Sequence, residues 1–301
     1  MSASHATPQA SSSAPLALDH LVINTRMDIA RAARLCTALG FTATPLSRHS
    51  LGSVNQLIVF PQGYLELIGL PDDGGPVRQE ILDSPIGIDG LVFQVDDADA
   101  LAPGLGELGR ALQPVGQFSR PVVMPDATLD ASFRTARFTP GRFPAGRVYY
   151  CQHLTPELIW HPPWQRHANG ATALSAIAVV SPDPQATARA YAQAARTPDV
   201  RQVDDDSWHV HCTEFLIRVS TPAGHARRYG ALAKVRDGAT DFFGAIEIEV
   251  GDLEGLERRL APLGSEVQWA RTPEFLAVKL MAYEAVLVFA TARSTQTVRA
   301  V

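Results

Sequence analysis

Cysteine is scarce in this 301-residue chain: Cys36, Cys151 and Cys212 are far apart and form no CxxC pair. Three thiols cannot pair completely, so the expectation is a reducing compartment with buried thiols. Charge of one sign is scarce too. The formal net charge is −5, without the basic patch that nucleic-acid binding usually needs. No stretch approaches the roughly 18 continuous apolar residues of a membrane span. Met1 to Pro15 has neither the basic n-region nor the apolar h-region of a secretory signal and reads as a disordered leader. There is no GxSxG, P-loop or zinc-type cysteine spacing. Gly104-Leu-Gly106-Glu-Leu-Gly109 fits GxGxxG literally. A dinucleotide fingerprint needs those glycines directly after a strand, and here a capped helical stretch starting near Asp97 intervenes. What remains is a cytoplasmic, soluble chain with no nucleic-acid or membrane partner. With 46% hydrophobic residues it can bury a sizeable core.

What is present is self-similarity. Leu18-Asp-His-Leu-Val-Ile-Asn24 is a short apolar strand. Asp28 starts a helix whose stripe Ile29, Ala33, Leu35 and Leu39 stops at Gly40. Asn55–Phe60 and Tyr64–Ile68 follow as two strands around the Pro61-Gln62-Gly63 turn. A second copy opens with Ile88–Val95, and Asp96 and Asp97 cap a helix to about Leu112. Its later strands are read at Phe133–Phe138, Val148–His153 and Glu157–Trp160. The third copy has Leu174–Val180, a helix Pro184–Ala195, and strands Trp208–Cys212 and Phe215–Val219. The fourth has Phe243–Val250, Asp252 capping Leu253–Leu263, and strands Glu266–Trp269, Phe275–Met281 and Ala285–Ala290. No single unit can bury its own face, so the units should pair. The joint Pro162–Thr172 divides the chain into domains 16–165 and 172–292, and Thr221–Asp241 links the last two units.

A βαβββ unit duplicated into an eight-stranded half-barrel resembles the plan of the vicinal oxygen chelate superfamily. That group includes glyoxalase I, extradiol dioxygenases and bleomycin-resistance proteins. The first pair looks more specifically like its glyoxalase-like domain group. The resemblance rests on Leu18-Asp-His20, on His49-Ser-Leu-Gly52-Ser-Val-Asn55 before Tyr64-Leu-Glu66-Leu, and on Cys151-Gln-His153-Leu-Thr-Pro-Glu157-Leu-Ile-Trp160. It implies an α+β fold of four βαβββ modules, paired into two half-barrel domains of the glyoxalase, bleomycin-resistance and dioxygenase kind. It implies a divalent metal, Mn²⁺, Fe²⁺, Zn²⁺, Ni²⁺ or Mg²⁺, held by His20 and Glu66 of unit one and Glu157 of unit two. The fourth place falls on Gly90, which has no side chain, so the ligand set is incomplete. Glu157 is also a catalytic candidate for moving the proton, and His153, set against Glu157 if Leu154-Thr-Pro156 is a turn, is a second acid/base or ligand candidate. His49 and Asn55 flank the Gly52-Ser53 turn and are substrate-binding candidates with His153, although turn chemistry accounts for Asn55 equally well.

The bland readings stand beside these. His20 alone would pass for a core histidine. Glu66 inside an apolar strand is less easily dismissed, because a carboxylate is rarely buried without a partner. Arg134 and Arg137, three apart on a strand, lie on opposite faces, so at most one enters the cup. His209 and His211 share a face but lack a matching carboxylate. His161 and His167 suit packing at the joint. In the second pair Ala176 and Ala245 replace first-strand ligands, which suggests a structural role, a lid or a dimer face. Two functions stay open at this point. One is a metal-dependent lyase, isomerase or dioxygenase acting on a small oxygen-bearing substrate by bidentate chelation and proton transfer. The other is a metal-free small-molecule binder or sequestering protein of the bleomycin-resistance type. A homodimer is compatible with either.

Overall fold

The computed structural model describes residues 14–233 and 241–291, so most of the leader expected over 1–15 lies outside the described residues. The chain begins with β1 (Leu18–Arg26), α1 (Ile29–Ala38), β2 (Ser47–Arg48), β3 (Val54–Phe60) and β4 (Gly63–Gly69). A short α2 (Gln79–Asp83) leads to β5 (Gly87–Gln94), a 3-10 segment Ala102–Ala111, β6 (Gly116–Val123), β7 (Thr128–Arg137) and β8 (Arg147–His153). The plan then repeats: β9 (Ala171–Val180), α3 (Pro184–Ala194), β10 (Val200–Asp204), β11 (Ser207–Cys212), β12 (Phe215–Ser220) and α4 (Pro222–Tyr229). The last unit is β13 (Phe242–Val250), α5 (Leu253–Glu257), a 3-10 segment Ala261–Glu266, β14 (Val267–Arg271), β15 (Leu276–Leu280) and β16 (Ala285–Ala290).

Pairing follows the expected scheme. One sheet has the order β2-β3-β4-β1-β5-β8-β7-β6, the other β10-β11-β12-β9-β13-β16-β15-β14. Each is two βαβββ modules joined antiparallel through their first strands, β1 with β5 and β9 with β13. The fold is α+β, with four modules in two half-barrels.

Each sheet curls into a cup. In the first, the two edges meet: the Ser50 N–H donates to the Ser119 carbonyl at 3.3 Å, and the Ser47 hydroxyl donates to the Pro121 carbonyl. The barrel is thereby nearly closed, which removes two exposed edges. Among the described residues no hydrogen bond joins β10 to β14 in the second sheet. The connectors plug the cups. Ile81 of α2 packs with Val22, Leu57 and Ile68, whereas Tyr229 of α4 and Leu232 pack on Phe275 and Val288.

The opposite faces of both sheets share one core with the helices, including Leu21, Ile23, Leu35, Tyr191, Ile246 and Phe289. Each fully buried large side chain there contributes about 1.5–3 kcal/mol. The Tyr150 hydroxyl donates to the Ala194 carbonyl at 2.9 Å and the Tyr283 hydroxyl to that of Asp28 at 2.8 Å, tying one pair to the other. His167 sits in the joint, as expected. Its Nε2 donates to the Val59 carbonyl at 3.0 Å and its Nδ1 accepts from the Thr42 N–H at 3.1 Å, which fixes the tautomer.

Several local expectations need correction. Glu157–Trp160 is not a strand: Pro156–Leu158 is a single 3-10 turn after β8. The missing strand of unit two is β6, an edge strand that tolerates Pro121 because an edge position can do without one N–H. The helix expected to reach Leu112 is 3-10 and broken at Gly106, where φ is +56°; Gly264, with φ +52°, does the same in unit four. Pro103 and Pro262 lie just upstream of these breaks, and each lacks the N–H that a continuing helix would need. The link Thr221–Asp241 contains α4, capped by Thr221 Oγ1 accepting from the Gly224 N–H at 3.0 Å.

Candidate active site

Alternation along β1 turns His20 and Val22 into the first cup, where His20 pairs in register with Tyr64 and Val22 with Glu66. The β1–β5 register slips between Leu18 and His20, and this bulge leaves Asp19 wholly buried between two imidazoles. His20 Nδ1 donates to Asp19 Oδ1 at 2.5 Å, and His153 Nε2 lies 2.9 Å from Asp19 Oδ2. Burial pushes the Asp19 carboxyl up, but the His153 and His20 rings outweigh it and hold the group far below the carboxylate range.

With Nδ1 committed to Asp19, His20 presents Nε2 to the cavity. In a neutral ring that nitrogen carries the lone pair. It lies 3.0 Å from the Tyr149 hydroxyl, which can donate to it, and 3.8 Å from Glu66 Oε2. The ring stacks on Tyr64 at 4.4 Å. Glu66 Oε1 accepts from the Asn55 amide at 2.7 Å and lies 4.0 Å from His49 Nε2. Burial raises the Glu66 carboxyl, yet His20, His49, the Asn55 amide and Arg120 together keep it below its ordinary value. His49 bonds through Nδ1 to Ser53 Oγ at 2.8 Å. Burial drives its pKa down to about 3, Glu66 opposes this, and Arg120, Arg78 and Arg137 push it further down, so the ring is neutral near pH 7.

His20, His49, Asn55, Glu66 and Tyr149 line one cavity of about 30 Å³, with Arg78, Arg120 and Arg137 among the other walls. That space takes ordered water or the head of a ligand. Of the pair Arg134 and Arg137 only Arg137 enters. Its guanidinium sits 4.8 Å from the Tyr149 ring centre and donates to Glu80 at 3.0 Å, whereas Arg134 pairs with Asp99 outside.

Four of the residues singled out in the sequence thus converge: His20, His49, Asn55 and Glu66. Two do not. Glu157 is exposed on the 3-10 turn, away from the cavity walls. His153 is held between Asp19, Phe133 and Trp160, behind the cavity and not lining it. Register explains the displacement of Glu157. Glu66 pairs with the residue two beyond His20, and the residue two beyond Gly90 pairs with Tyr149. Tyr149, not Glu157, is therefore the counterpart of Glu66. Gly90 is no vacant ligand place either: a Cβ there would lie 2.7 Å from Val22 Cγ2, so Val22 occupies the space.

His20 Nε2 and Glu66 Oε2 are donors that fit a divalent cation, with the Tyr149 hydroxyl, which burial keeps protonated, as a neutral oxygen beside them, and Asp19 behind His20 supplies the carboxylate–histidine orientation common around metal-bound imidazoles. A tighter cluster exists among the described residues, Asp19, Cys151 and His153, with ligand atoms within 4.8 Å of one another. It fits a cation poorly. Asp19 already serves two histidines, and burial, with Asp19 and Glu66 adding to it, keeps the Cys151 thiol protonated.

The second cup has different equipment at the same register. Ala176, Arg218, Ala245 and Val288 stand where the first has His20, Glu66, Gly90 and Tyr149. Ala176 and Ala245 do stand at the first-strand places, yet the second cup is polar nearby. Buried Glu247 lies 2.9 Å from Arg218 and 3.2 Å from Arg228, and His209 Nε2 accepts from Arg218 at 2.8 Å.

Comparison with known proteins agrees with this architecture. No curated protein matches the chain. A hypothetical protein from Staphylococcus aureus has a similar structure, with a TM-score of 0.61 at 9% identity, covering 91% of this chain and 99% of that one. A triple mutant of 4-hydroxymandelate synthase from Streptomyces coelicolor gives 0.51 at 14% identity over 93% and 95% of the two chains. A fusion of a xylose isomerase-like TIM barrel with a 4-hydroxyphenylpyruvate dioxygenase gives 0.55 at 12% identity, over 96% of this chain and 52% of that one. At these identities the likeness shows the fold alone. The model of the glyoxalase-like domain family matches residues 18–195, more than half of the chain. The protein therefore belongs to the glyoxalase-like domain family of the vicinal oxygen chelate superfamily.

Proposed function

We propose that the first cup is the active site of a metal-dependent enzyme acting on a small molecule with two neighbouring oxygens. The observation that carries this is the Asp19–His20 pair, which turns Nε2 of His20 toward Glu66 across 3.8 Å of a buried cavity. His20 and Glu66 would hold the cation, with Tyr149 as the third oxygen donor in place of Glu157. When bound, such a cation supplies Lewis acidity toward the two substrate oxygens. The chain does the rest. Asp19 fixes the tautomer of His20, and Asn55 orients Glu66. The closed barrel, with α2 as its plug, keeps bulk water from the cavity. Proton movement falls to His49, whose Nε2 faces the cavity while Nδ1 is anchored on Ser53. Negative charge developing on the substrate beside it would lower the cost of protonating this ring. His153 acts through Asp19 as a positioning residue. Lyase, isomerase and dioxygenase chemistry all fit these roles.

A second reading is a metal-free binder. It is favoured by Val22 filling the place beside Gly90 and by Tyr149 already engaging His20 Nε2. Metal analysis separates the two. Purified protein, before and after incubation with Mn²⁺, Ni²⁺ or Zn²⁺, should hold about one equivalent, absent from His20→Ala and Glu66→Ala. Wild-type protein that takes up none of these ions would leave only the binder.

A further inference from the structure

Resting on the reading of His20 and Glu66 above, we propose that the first cup selects a substrate carrying a carboxylate and that Arg120 binds this group. Arg120 sits on β6 with only 5% of its surface exposed and lines the same cavity as His20, His49 and Glu66. Among the described residues its guanidinium forms no hydrogen bond and no ion pair; its contact is the Phe133 ring, 5.7 Å from Cζ. Glu66 offsets its charge only from beyond ion-pair distance, and a permanently charged group buried without a hydrogen-bonded counter-charge is unfavourable unless something else supplies one. The neighbouring cations do not share this condition, because Arg78 and Arg137 both pair with Glu80. Among the described residues Arg120 is thus the one of the three without an ion-pair partner.

One unpaired guanidinium matches a monoanionic group. The planar guanidinium fork suits the two oxygens of a carboxylate. Arg120 makes no ion pair with Glu66 although both line the cavity. A carboxylate can lie between them, held by Arg120, with its neighbouring oxygen turned toward His20 and Glu66. The support is rigid. The two hydrogen bonds that close the barrel engage the residues on either side of Arg120, Ser119 and Pro121, so the side chain is presented from a fixed wall.

The test measures binding of glycolate and pyruvate against their neutral amides, glycolamide and pyruvamide, by calorimetry on the metal-loaded full chain. Wild type should prefer each acid over its amide by roughly tenfold or more. Arg120→Gln should bring the ratio close to one at unchanged metal content, and Arg120→Lys, which keeps the charge but loses the fork, should fall between. His20→Ala should lose metal yet keep the preference, which separates failure of the metal reading from failure of this one. A wild-type ratio near one overturns the proposal, as does a preference that Arg120→Gln leaves intact. Should Arg120→Gln not fold, an undiminished ratio in Arg120→Lys overturns it equally.

Discussion

The two halves of this molecule share a strand order and a crossover plan, yet their cups have opposite character at one register position. Glu66 in the first and Arg218 in the second both project from the last strand of a module, each paired with the residue two beyond the first-strand ligand place. A carboxylate there presents negative charge to two imidazoles. A guanidinium there presents positive charge, and Glu247 neutralises it. The first cup is nearly closed over a cavity of about 30 Å³, while the second opens onto a cavity of about 640 Å³ lined by Arg218, Arg228 and Tyr229. The scaffold thus sets where side chains meet, and the residue at this register position sets the sign of the charge presented there.

Paired substitutions can break or sharpen this contrast. Asp19 and Ser175 hold the same position, one before the first-strand ligand place. Asp19→Ala leaves two buried histidines without their acceptor and should cost about 3–5 kcal/mol. Ser175→Ala, at a half-buried hydroxyl, should stay within about 0.5 kcal/mol in urea denaturation. Equal losses would show that the buried pair is not special to the first cup.

The next contrast is with pH. His49 has a folded pKa of about 3 against an ordinary 6.5. The unfolded chain takes up this proton first, so the contribution is fully present above pH 6.5 and declines as pH falls toward 3. The slope is about 1.4 kcal/mol per pH unit. Wild type minus His49→Asn should show that decline. His209, lowered by burial, Arg218 and His211 to about 4 and only half-buried, should give a shallower one in His209→Asn.

Arg218→Ala should cost about 1–2 kcal/mol, because Arg228 and Tyr229 still hold Glu247, and should leave metal content unchanged. Smallest is the seam. Ser47→Ala removes one hydrogen bond to Pro121 and should cost about 1 kcal/mol, read in the same denaturation series.

Much of this was legible in the residues. The fourfold plan stood out because each unit opens with an apolar strand and most close a capped stretch on glycine. His20 and Glu66 stood out because polar groups interrupt apolar strands. Arg120 did not, since β6 was not recognisable. Gln117, Ser119 and Pro121 share one face and Phe118 and Val122 the other, but Arg120 interrupts the apolar set and Pro121 argues against a strand, and an edge strand needs none of the continuity that reveals a central one. Tyr149 reads as ordinary strand core until pairing shows that it answers Glu66. Asp19 lay in plain view beside His20, but its role depends on a bulge that no single strand encodes. Glu157 looked like a strand residue because Leu158, Ile159 and Trp160 are apolar. They pack as a turn against the cup instead, Ile159 buried and the Trp160 indole donating to the Phe60 carbonyl at 3.1 Å.

The contact between Val22 and the bare α-carbon of Gly90 bears on how this site could have arisen and how it could be changed. A side chain at 90 collides with Val22 Cγ2 and Cβ, and trimming Val22 alone opens a void in a packed wall. Either step is unfavourable by itself, and only together do they leave room for a donor. A laboratory library that varies one position at a time would miss variants with a side chain at 90, and one that couples positions 22 and 90 would reach them.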